Sequence, residues 1–278
     1  EFGINKFASY GNAMDVDEAD LLEYFGQDKE TKVITAYLEG ARDGEKFYRI
    51  AKKVSKKKPI IVLKGGKNEQ TQQAAASHTG SLTGSAKVYE AVFKQSGIIE
   101  ADDILGLFNI SKLLEKESLP KGDRVQIITN GGGLGLVTAD QVISTGLKLA
   151  KLSKSTVKKL NKLAPKAIIG NPIDLLGDSS IENYMDSIEL ANKDKNVDII
   201  LVLILFNPPT IRTDKIGLFA KARKKISKPT IVCSFGSEFT IEYMRKIEKA
   251  GFTTFKYPSL AAKALKELVD YSNYLKKN

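Results

Sequence analysis

Hydrophobic residues occur along this chain in two alternating patterns. Short continuous apolar runs, such as residues 60–63 and residues 197–206 with only Asp198 interrupting, alternate with longer stretches in which apolar positions recur every three or four residues. A run that is apolar on both faces is typical of a strand buried in a parallel sheet, and the longer stretches are typical of amphipathic helices. The pattern therefore predicts an α/β fold with mostly parallel sheets.

The same pattern gives the order of the elements. We predict strands at residues 5–9, 31–38, 59–64, 124–129, 147–150, 197–206, 229–235 and 253–257, and a further strand that begins at residue 98. We predict helices from residue 15, at 45–57, 86–94, 155–163, 181–194, 213–226 and 238–250, before residue 114, and from residue 259 onward. Residues 170–175 are predicted to form an extended loop. This loop is either a simple turn or part of a functional site, and the residues favour neither.

A charged segment divides this series of elements. Residues 115–123 combine charged side chains with Pro120 and Gly122, a composition typical of a linker. The alternation of strands and helices is present on both sides of it. We therefore predict two domains, residues 1–119 and residues 120–278.

The segment of residues 74–85 consists almost entirely of small residues and contains His78, the only histidine of the chain. Such a segment can bring its backbone close to a ligand, and the predicted helix after it would offer an N-terminus that favours anions. A neutral imidazole could act there as a base or a nucleophile. On these residues alone, a surface histidine without a role is an equally good interpretation.

A glycine-rich turn follows the predicted strand at 124–129. Residues Asn130, Gly131, Gly132 and Gly133 lead directly into a helix, an arrangement in which backbone amides can approach a phosphate. The spacing of the dinucleotide-binding motif is absent, and a tight turn without a ligand remains an alternative. In a parallel sheet, ligands bind outside the carboxyl ends of the strands. Glu39, Gly65–Gly66 and the His78 segment all follow predicted strands, so we expect them at one edge.

The net charge of +10 raises the question of a nucleic-acid partner. The lysines are scattered over the predicted helices, and no aromatic residues interleave with them in an RNA-binding pattern. A solvated lysine surface is therefore the favoured interpretation, with no nucleic acid as partner. No apolar run approaches the roughly 20 residues that cross a bilayer, so we expect no membrane contact either.

Cys233 is the only cysteine, so an internal disulfide is excluded and a reducing, cytoplasmic location is expected. It lies in a predicted core strand, which indicates a buried structural thiol. One histidine and one cysteine argue against a zinc site built on these ligand types, and we expect no metal site. The chain begins Glu1-Phe2-Gly3 without methionine, and we interpret it as a piece of a larger protein.

Several of these stretches together resemble the ADP-forming acyl-CoA synthetases, relatives of succinyl-CoA synthetase that include the acetate-forming enzymes of archaea. The resemblance rests on the sequence Ser-His-Thr-Gly-Ser at residues 77–81 and on residues 7–12, 15–17, 37–40, 62–67, 129–135 and 171–174. These motifs occur in the family's order and cover nearly the whole chain. The resemblance implies two consecutive flavodoxin-like, succinyl-CoA synthetase-like domains.

The resemblance also implies a reaction. The family interconverts acyl-CoA, ADP and phosphate with a carboxylic acid, CoA and ATP, through an acyl phosphate and a phosphohistidine on a swinging loop. His78 stands in the position of that histidine, and Glu39 matches the glutamate that orients it. Thr79, Gly80 and Ser81 beside the histidine, and Asn130, Gly131, Gly132 and Gly133 in the glycine-rich turn, are the phosphate-binding residues that the resemblance implies.

The family's CoA-binding domain and its ATP-grasp portion have no counterpart in this sequence. We therefore expect the chain to bind no cofactor itself and to be inactive alone, while the complete enzyme, an oligomer, uses CoA, ADP or ATP, Mg²⁺ and inorganic phosphate. The expected partners are an ATP-grasp subunit or domain and an N-terminal CoA-binding domain. A regulatory or assembly module of a fusion protein, with an idle histidine, is the alternative. A nucleic-acid-binding protein is a weaker one, supported by charge alone.

Overall fold

The structure is a computed structural model that describes residues 3–68 and 85–278. It contains two compact units. Unit 1 comprises the residues up to Glu115 together with Asn273–Asn278, and unit 2 comprises Lys116–Ser272. The predicted division into domains at residues 119 and 120 stays a prediction.

Unit 1 is built on a parallel sheet. Its strands are β1 (Ile34–Leu38), β2 (Ile60–Lys64) and β3 (Ile98–Ala101), in that order across the sheet. Its helices are α1 (Glu18–Gln27), α2 (Gly44–Val54), α3 (Ala86–Ser96) and α4 (Ile104–Lys116), the last residue of which belongs to unit 2. Strand residues such as Ile60 and Val62 pack with Phe47 and Phe93 of the helices to form one buried core. The predicted alternation of strands and helices is therefore observed.

Helix α1 begins where a capping box fixes it. The Asp17 carboxylate accepts a bond from Asp20 N at 2.9 Å, and the Asp20 carboxylate accepts one from Asp17 N at 3.1 Å. This reciprocal pair satisfies two amides that have no partner inside the helix. The acidic cluster at residues 15–20 thus places the first helical residue at Glu18, three residues after the predicted start.

The strand predicted at residues 5–9 is wrong. These residues have no regular secondary structure. The side chain of Phe7 is 85% exposed, so the apolar residue of this stretch has no core to face. An ion pair between Lys6 and Asp28, with N···O of 2.8 Å, ties the stretch to the end of α1 instead.

Unit 2 contains a larger sheet whose strands are all parallel. The strands are β4 (Arg124–Thr129), β5 (Lys148–Leu149), β6 (Ile173–Asp174), β7 (Ile199–Leu203), β8 (Thr230–Cys233) and β9 (Thr253–Phe255). The order across the sheet is β5-β4-β7-β8-β9, and β6 pairs with the end of β4 on the same side as β5. Apart from β6, this is the strand order of a flavodoxin-like sheet. The order in which strands are added to the sheet changes direction between β4 and β7.

The side chain of Asn171 fills the gap that β5 and β6 leave beside β4. Its Nδ2 donates to the carbonyl oxygens of Val125 at 2.7 Å and Ala150 at 3.0 Å, and its Oδ1 accepts from Ile127 N at 3.1 Å. The peptide bond from Asn171 to Pro172 is cis. Residues 170–175 were predicted to be a loop, and they contain β6. Next to β6, the Asn171 side chain makes the hydrogen bonds to β4 that the backbone of a longer strand would make.

The helices of unit 2 cover this sheet. They are α5 (Gly132–Ser144), α6 (Lys154–Leu163), α7 (Ile181–Lys193), α8 (Leu218–Arg223), α9 (Glu238–Lys249) and α10 (Pro258–Lys277). The single helix predicted at 213–226 is a 3₁₀ turn at Thr213–Lys215 followed by α8, with Gly217 between them. Cys233 is buried, as predicted. No helix within the described residues is both long enough and apolar enough to cross a membrane.

Candidate functional site

The carboxyl ends of β1 and β2 bring two of the predicted site segments together. Glu39 follows β1 directly and Gly65 follows β2 directly, and Gly65 N donates to Leu38 O at 2.9 Å. The prediction that Glu39 and Gly65 share one edge of the sheet is therefore confirmed. His78, with its neighbours in residues 79–81, lies outside the described residues.

The Glu39 side chain has one oxygen engaged and one available. Oε1 accepts a hydrogen bond from the Tyr37 hydroxyl at 3.2 Å. Oε2 is buried and has no hydrogen-bond partner among the described residues. A buried carboxylate oxygen without a donor is costly, and native structures seldom retain one without a functional reason. Glu39 is thus prepared to accept one further hydrogen bond.

Lys64, the last residue of β2, lies beside Glu39. Only 5% of its surface is exposed, and its Nζ donates to Glu39 O at 2.6 Å and also to Gly65 O. The ammonium lies 4.7 Å from the centroid of the Tyr89 ring, a cation–π contact. Burial lowers the pKa of Lys64, and the negative charges of Glu39 and Glu100 oppose that effect. The Lys64 amine is therefore hydrogen-bonded to the residues that follow both β1 and β2.

A second group of contacts fixes the chain just after Glu39. Glu18 accepts a hydrogen bond from Arg42 N at 2.8 Å, and burial raises the pKa of its carboxyl. The Arg42 guanidinium donates to the carbonyl oxygens of Ala13 and Met14. The Tyr89 hydroxyl accepts from Ala41 N at 2.6 Å. Glu18 of α1, Tyr89 of α3 and the carbonyl oxygens of the two residues at 13–14 thus all bind the segment that follows β1.

The glycine-rich turn lies in unit 2, at the carboxyl end of β4 and next to β7, where the strand order reverses. Asn130 is buried, and its carboxamide accepts from Leu205 N at 2.9 Å and donates to Leu205 O at 3.0 Å. The Thr129 hydroxyl accepts from Gly131 N at 3.0 Å. These bonds fix the course of the turn, and the carboxamide of Asn130 links it to the chain after β7.

Helix α5 begins in this turn with amides that have no hydrogen-bond partner in the part of the chain that the structure describes. Gly131 is its N-cap and supplies no side-chain bond, and the first intrahelical bond runs from Gly135 N to Gly131 O at 2.9 Å. The amides of Gly132, Gly133 and Leu134 therefore precede the first residue with a helical acceptor. Together with the helix dipole they favour a negative charge in front of the turn.

One carboxylate already faces this helix end. Asp174 closes β6, its Oδ1 accepts from Leu176 N at 2.9 Å, and its Oδ2 lies so close to Gly132 that a Cβ there would be 2.4 Å away. Below the turn, the fully buried Tyr184 donates its hydroxyl hydrogen to Leu203 O at 2.7 Å. Burial raises the pKa of this hydroxyl well above its ordinary value, so it stays a donor.

Three residues at these sites, Tyr37, Lys64 and Asp174, were not predicted from the sequence to have a role. One signal was available for Tyr37, because it lies two residues before Glu39, and alternate residues of a strand share a face. Lys64 and Asp174 reach the two sites across neighbouring strands, and no local pattern marks such a contact. The glutamate edge lies in unit 1 and the glycine-rich turn in unit 2.

Two family models match the chain, one for each half. The model described as succinyl-CoA ligase like flavodoxin domain matches residues 1–114. The model described as Ligase-CoA domain matches residues 125–262. Glu39 lies in the first match, and the glycine-rich turn lies in the second.

Known proteins match from about two thirds of the chain to nearly all of it. The acetate–CoA ligase (ADP-forming) II subunit alpha of Pyrococcus furiosus is 40% identical over 276 residues, which are 97% of this chain and 60% of that protein. The acetate–CoA ligase (ADP-forming) of Methanocaldococcus jannaschii is 45% identical over 181 residues, 65% of this chain and 26% of that protein. The matched residues therefore make up 60% of the first relative and 26% of the second, less than two thirds of each.

A solved structure has the same fold. It is a dinucleotide-forming acetyl-coenzyme A synthetase 1 of Candidatus Korarchaeum cryptofilum in complex with phosphate and ADP. The match has a TM-score of 0.89 and 35% identity, and it covers 97% of this chain and 60% of that chain.

Proposed function

Since the chain belongs to the family of ADP-forming acyl-CoA synthetases, we propose that it supplies the phosphohistidine carrier of such an enzyme. The complete reaction converts acyl-CoA, ADP and phosphate into a carboxylic acid, CoA and ATP. His78 is the carrier, and Glu39 orients it. The observation that carries this proposal is the buried Oε2 of Glu39, which has no partner among the described residues and is ready to accept an imidazole N–H.

The chemistry at His78 requires a neutral imidazole with a fixed tautomer. A carboxylate that accepts the hydrogen of one ring nitrogen leaves the lone pair of the other nitrogen free to attack phosphorus, and it raises the basicity of the ring. In the forward reaction the imidazole nitrogen attacks the phosphorus of the acyl phosphate. An N–P bond forms, the bond between phosphorus and the acyl oxygen breaks, and the carboxylic acid leaves as a carboxylate. The phosphoryl group then passes from nitrogen to an oxygen of ADP.

The phosphoryl oxygens need donors that let them approach closely. In unit 2, the amides of Gly132 and Gly133 at the start of α5 have no hydrogen-bond partner among the described residues and can donate to a phosphate, and negative charge is favoured in front of a helix N-terminus. Asn130 and Gly131 shape this turn. In unit 1, we assign Thr79, Gly80 and Ser81, which follow His78 in the sequence, as phosphate-binding residues.

The remaining steps need parts beyond this chain. We assign CoA to an N-terminal CoA-binding domain, and ADP or ATP with Mg²⁺ to an ATP-grasp subunit or domain. Because the chain spans 60% of the length of its Pyrococcus furiosus relative, we expect it to show no turnover by itself.

Phosphorylation of His78 tests the proposal. The full parent chain, mixed with its ATP-grasp partner, is incubated with Mg²⁺ and ATP labelled in the γ-phosphate, beside the variant His78→Ala. We expect label on the wild type alone, stable in alkali, lost in acid and discharged by ADP. Label that persists in His78→Ala, or no label at all, would contradict the carrier and favour a regulatory module with the same fold.

A further inference from the structure

We propose that Tyr37 is a positioning residue for Glu39: its hydroxyl holds Oε1, so that Oε2 alone is presented to the imidazole. The inference rests on the proposed function of His78 and Glu39 and adds to it a residue that does not itself touch the reacting atoms.

The contact between Tyr37 and Glu39 is specific. The hydroxyl donates to Oε1 at 3.2 Å, although 59% of the Tyr37 surface is exposed and the core therefore does not hold the ring in place. The hydroxyl also lies directly over Gly65, where a Cβ would be 2.6 Å away. Glycine at this position thus leaves room for the phenol between the two strand ends.

The hydroxyl stays a donor under ordinary conditions. Burial and the hydrogen bond with Glu39 raise the pKa of Tyr37. At neutral pH the phenol is therefore protonated, and its hydrogen is available to the carboxylate.

The main chain of Glu39 is fixed independently. Lys64 Nζ donates to Glu39 O at 2.6 Å from its buried position in β2. With the main chain held by Lys64 and Oε1 held by Tyr37, rotation of the carboxylate about its last bond is restrained. The position of Oε2 is then determined, and this is the oxygen without a partner among the described residues.

Loss of the phenol hydroxyl should affect the rate of phosphoryl transfer and leave nucleotide affinity unchanged. A carboxylate free to rotate spends less time in the orientation that holds the imidazole for attack, and small losses of alignment are costly in rate. We expect Tyr37→Phe to phosphorylate His78 about 10-fold more slowly, the loss typical of one hydrogen bond to a charged group. The KM for ATP and the final extent of labelling should stay the same.

The experiment uses the parent chain with its ATP-grasp partner, rapid quench and labelled ATP. Tyr24→Phe is the matched control, since Tyr24 is similarly exposed, at 56%, and lies on α1 of the same unit. Gly65→Ala is a second variant, which keeps the phenol and displaces it. We expect both Tyr37→Phe and Gly65→Ala to slow labelling, and Tyr24→Phe to match the wild type.

A spectroscopic measurement separates positioning from a general structural effect. In the parent chain labelled with ¹⁵N-histidine, comparison with His78→Ala assigns the imidazole signals of His78, the only histidine of these 278 residues. We expect one tautomer in the wild type and a mixture in Tyr37→Phe. Wild-type labelling rates and an unchanged tautomer in Tyr37→Phe would overturn this inference and leave the carrier role intact. Absence of label on the wild type would overturn the proposed function, and this inference with it.

Discussion

At the scale of single residues, Gly132 allows a carboxylate to lie against the first turn of a helix. Asp174 Oδ2 occupies the space that a side chain at position 132 would need. At the next position, Gly133, no atom of the described residues lies within 4 Å of where a Cβ would be. The two glycines share a helical turn and differ only in what surrounds them.

Substitution of these glycines should therefore have different effects. Gly132→Ala places its Cβ against Asp174 Oδ2. We expect the Asp174 carboxylate to move and to lose its bond with Leu176 N, at a cost of about 1 kcal/mol that offsets the gain in helix propensity. Gly133→Ala should stabilise the chain by about 0.5–1 kcal/mol, because alanine favours a helix over glycine.

Urea denaturation of both variants beside the wild type measures this difference. Equal free energies of unfolding for the two variants would show that the Asp174 carboxylate moves away from position 132 without loss of stability. That result would contradict this prediction.

The sequence allowed Glu39 to be placed because its position follows from a rule about strand ends. The rule needs only the order of strands along the chain. Lys64 and Asp174 could not be placed in this way. Their contacts depend on which strands are neighbours and on register, and these emerge only when the sheet is assembled.

At the scale of elements, Glu117 joins the beginnings of two strands. Its side chain is fully buried and accepts from Thr230 N at 3.2 Å, from the Thr253 hydroxyl at 2.8 Å and from Arg223 at 3.2 Å. Thr230 opens β8 and Thr253 opens β9. The Glu117 carboxylate thus bridges the first residues of β8 and β9.

This carboxylate should make stability depend on pH. Burial raises the pKa of Glu117 above its ordinary value of 4.5, and Arg223 and the two threonines oppose the shift. The folded state therefore binds the proton more tightly than the unfolded state. The stability that protonation contributes is fully present below pH 4.5 and is lost as the pH rises through the folded pKa.

Glu117→Gln removes this titration. Urea unfolding from pH 4 to pH 8 should show the wild type losing stability relative to Glu117→Gln as the pH rises. Glu242→Gln, at an exposed ion pair on α9, is the control and should run parallel to the wild type. A constant difference between wild type and Glu117→Gln would contradict the raised pKa.

The prediction of elements succeeded where periodicity extends over several turns or where a strand is apolar throughout. It was wrong at residues 5–9, where a polar stretch carries one exposed phenylalanine, and at 213–226, where Gly217 separates a 3₁₀ turn from α8. Strand β6 was missed because it follows Gly170, Asn171 and Pro172, residues typical of a loop, and because the side chain of Asn171 continues its edge.

At the scale of the whole molecule, the end of the chain completes the unit that the beginning forms. Tyr274 near the end of α10 lies against Gly97, where a Cβ would be 2.2 Å from its ring, and its hydroxyl is 3.1 Å from the Ser55 hydroxyl. Gly97 adopts a positive φ of 73° as the C-cap of α3, a conformation that glycine favours. The ring therefore covers the ends of α2 and α3.

We expect Tyr274→Ala to destabilise unit 1 selectively, by about 2–3 kcal/mol, because it removes an aromatic ring and leaves a cavity. Hydrogen exchange followed by mass spectrometry should show loss of protection in peptides of α2 and α3. Tyr274→Phe, which retains the ring, should stay within about 1 kcal/mol of the wild type.

Peptides of β7 and β8 in unit 2 serve as the internal reference. Equal loss of protection in both units would show that they unfold together and would contradict a local role of Tyr274. A linear reading of the sequence could not anticipate this contact, because it joins residues separated by most of the chain.

The burial of Cys233 gives the chain a practical property. Its thiol is 1% exposed, so thiol reagents should modify it slowly. A cysteine introduced at the exposed Ser85, just before α3, would be the preferred site of attachment for a spin label or fluorophore. Such a probe would report on the N-terminus of α3, without prior removal of the native cysteine of this chain.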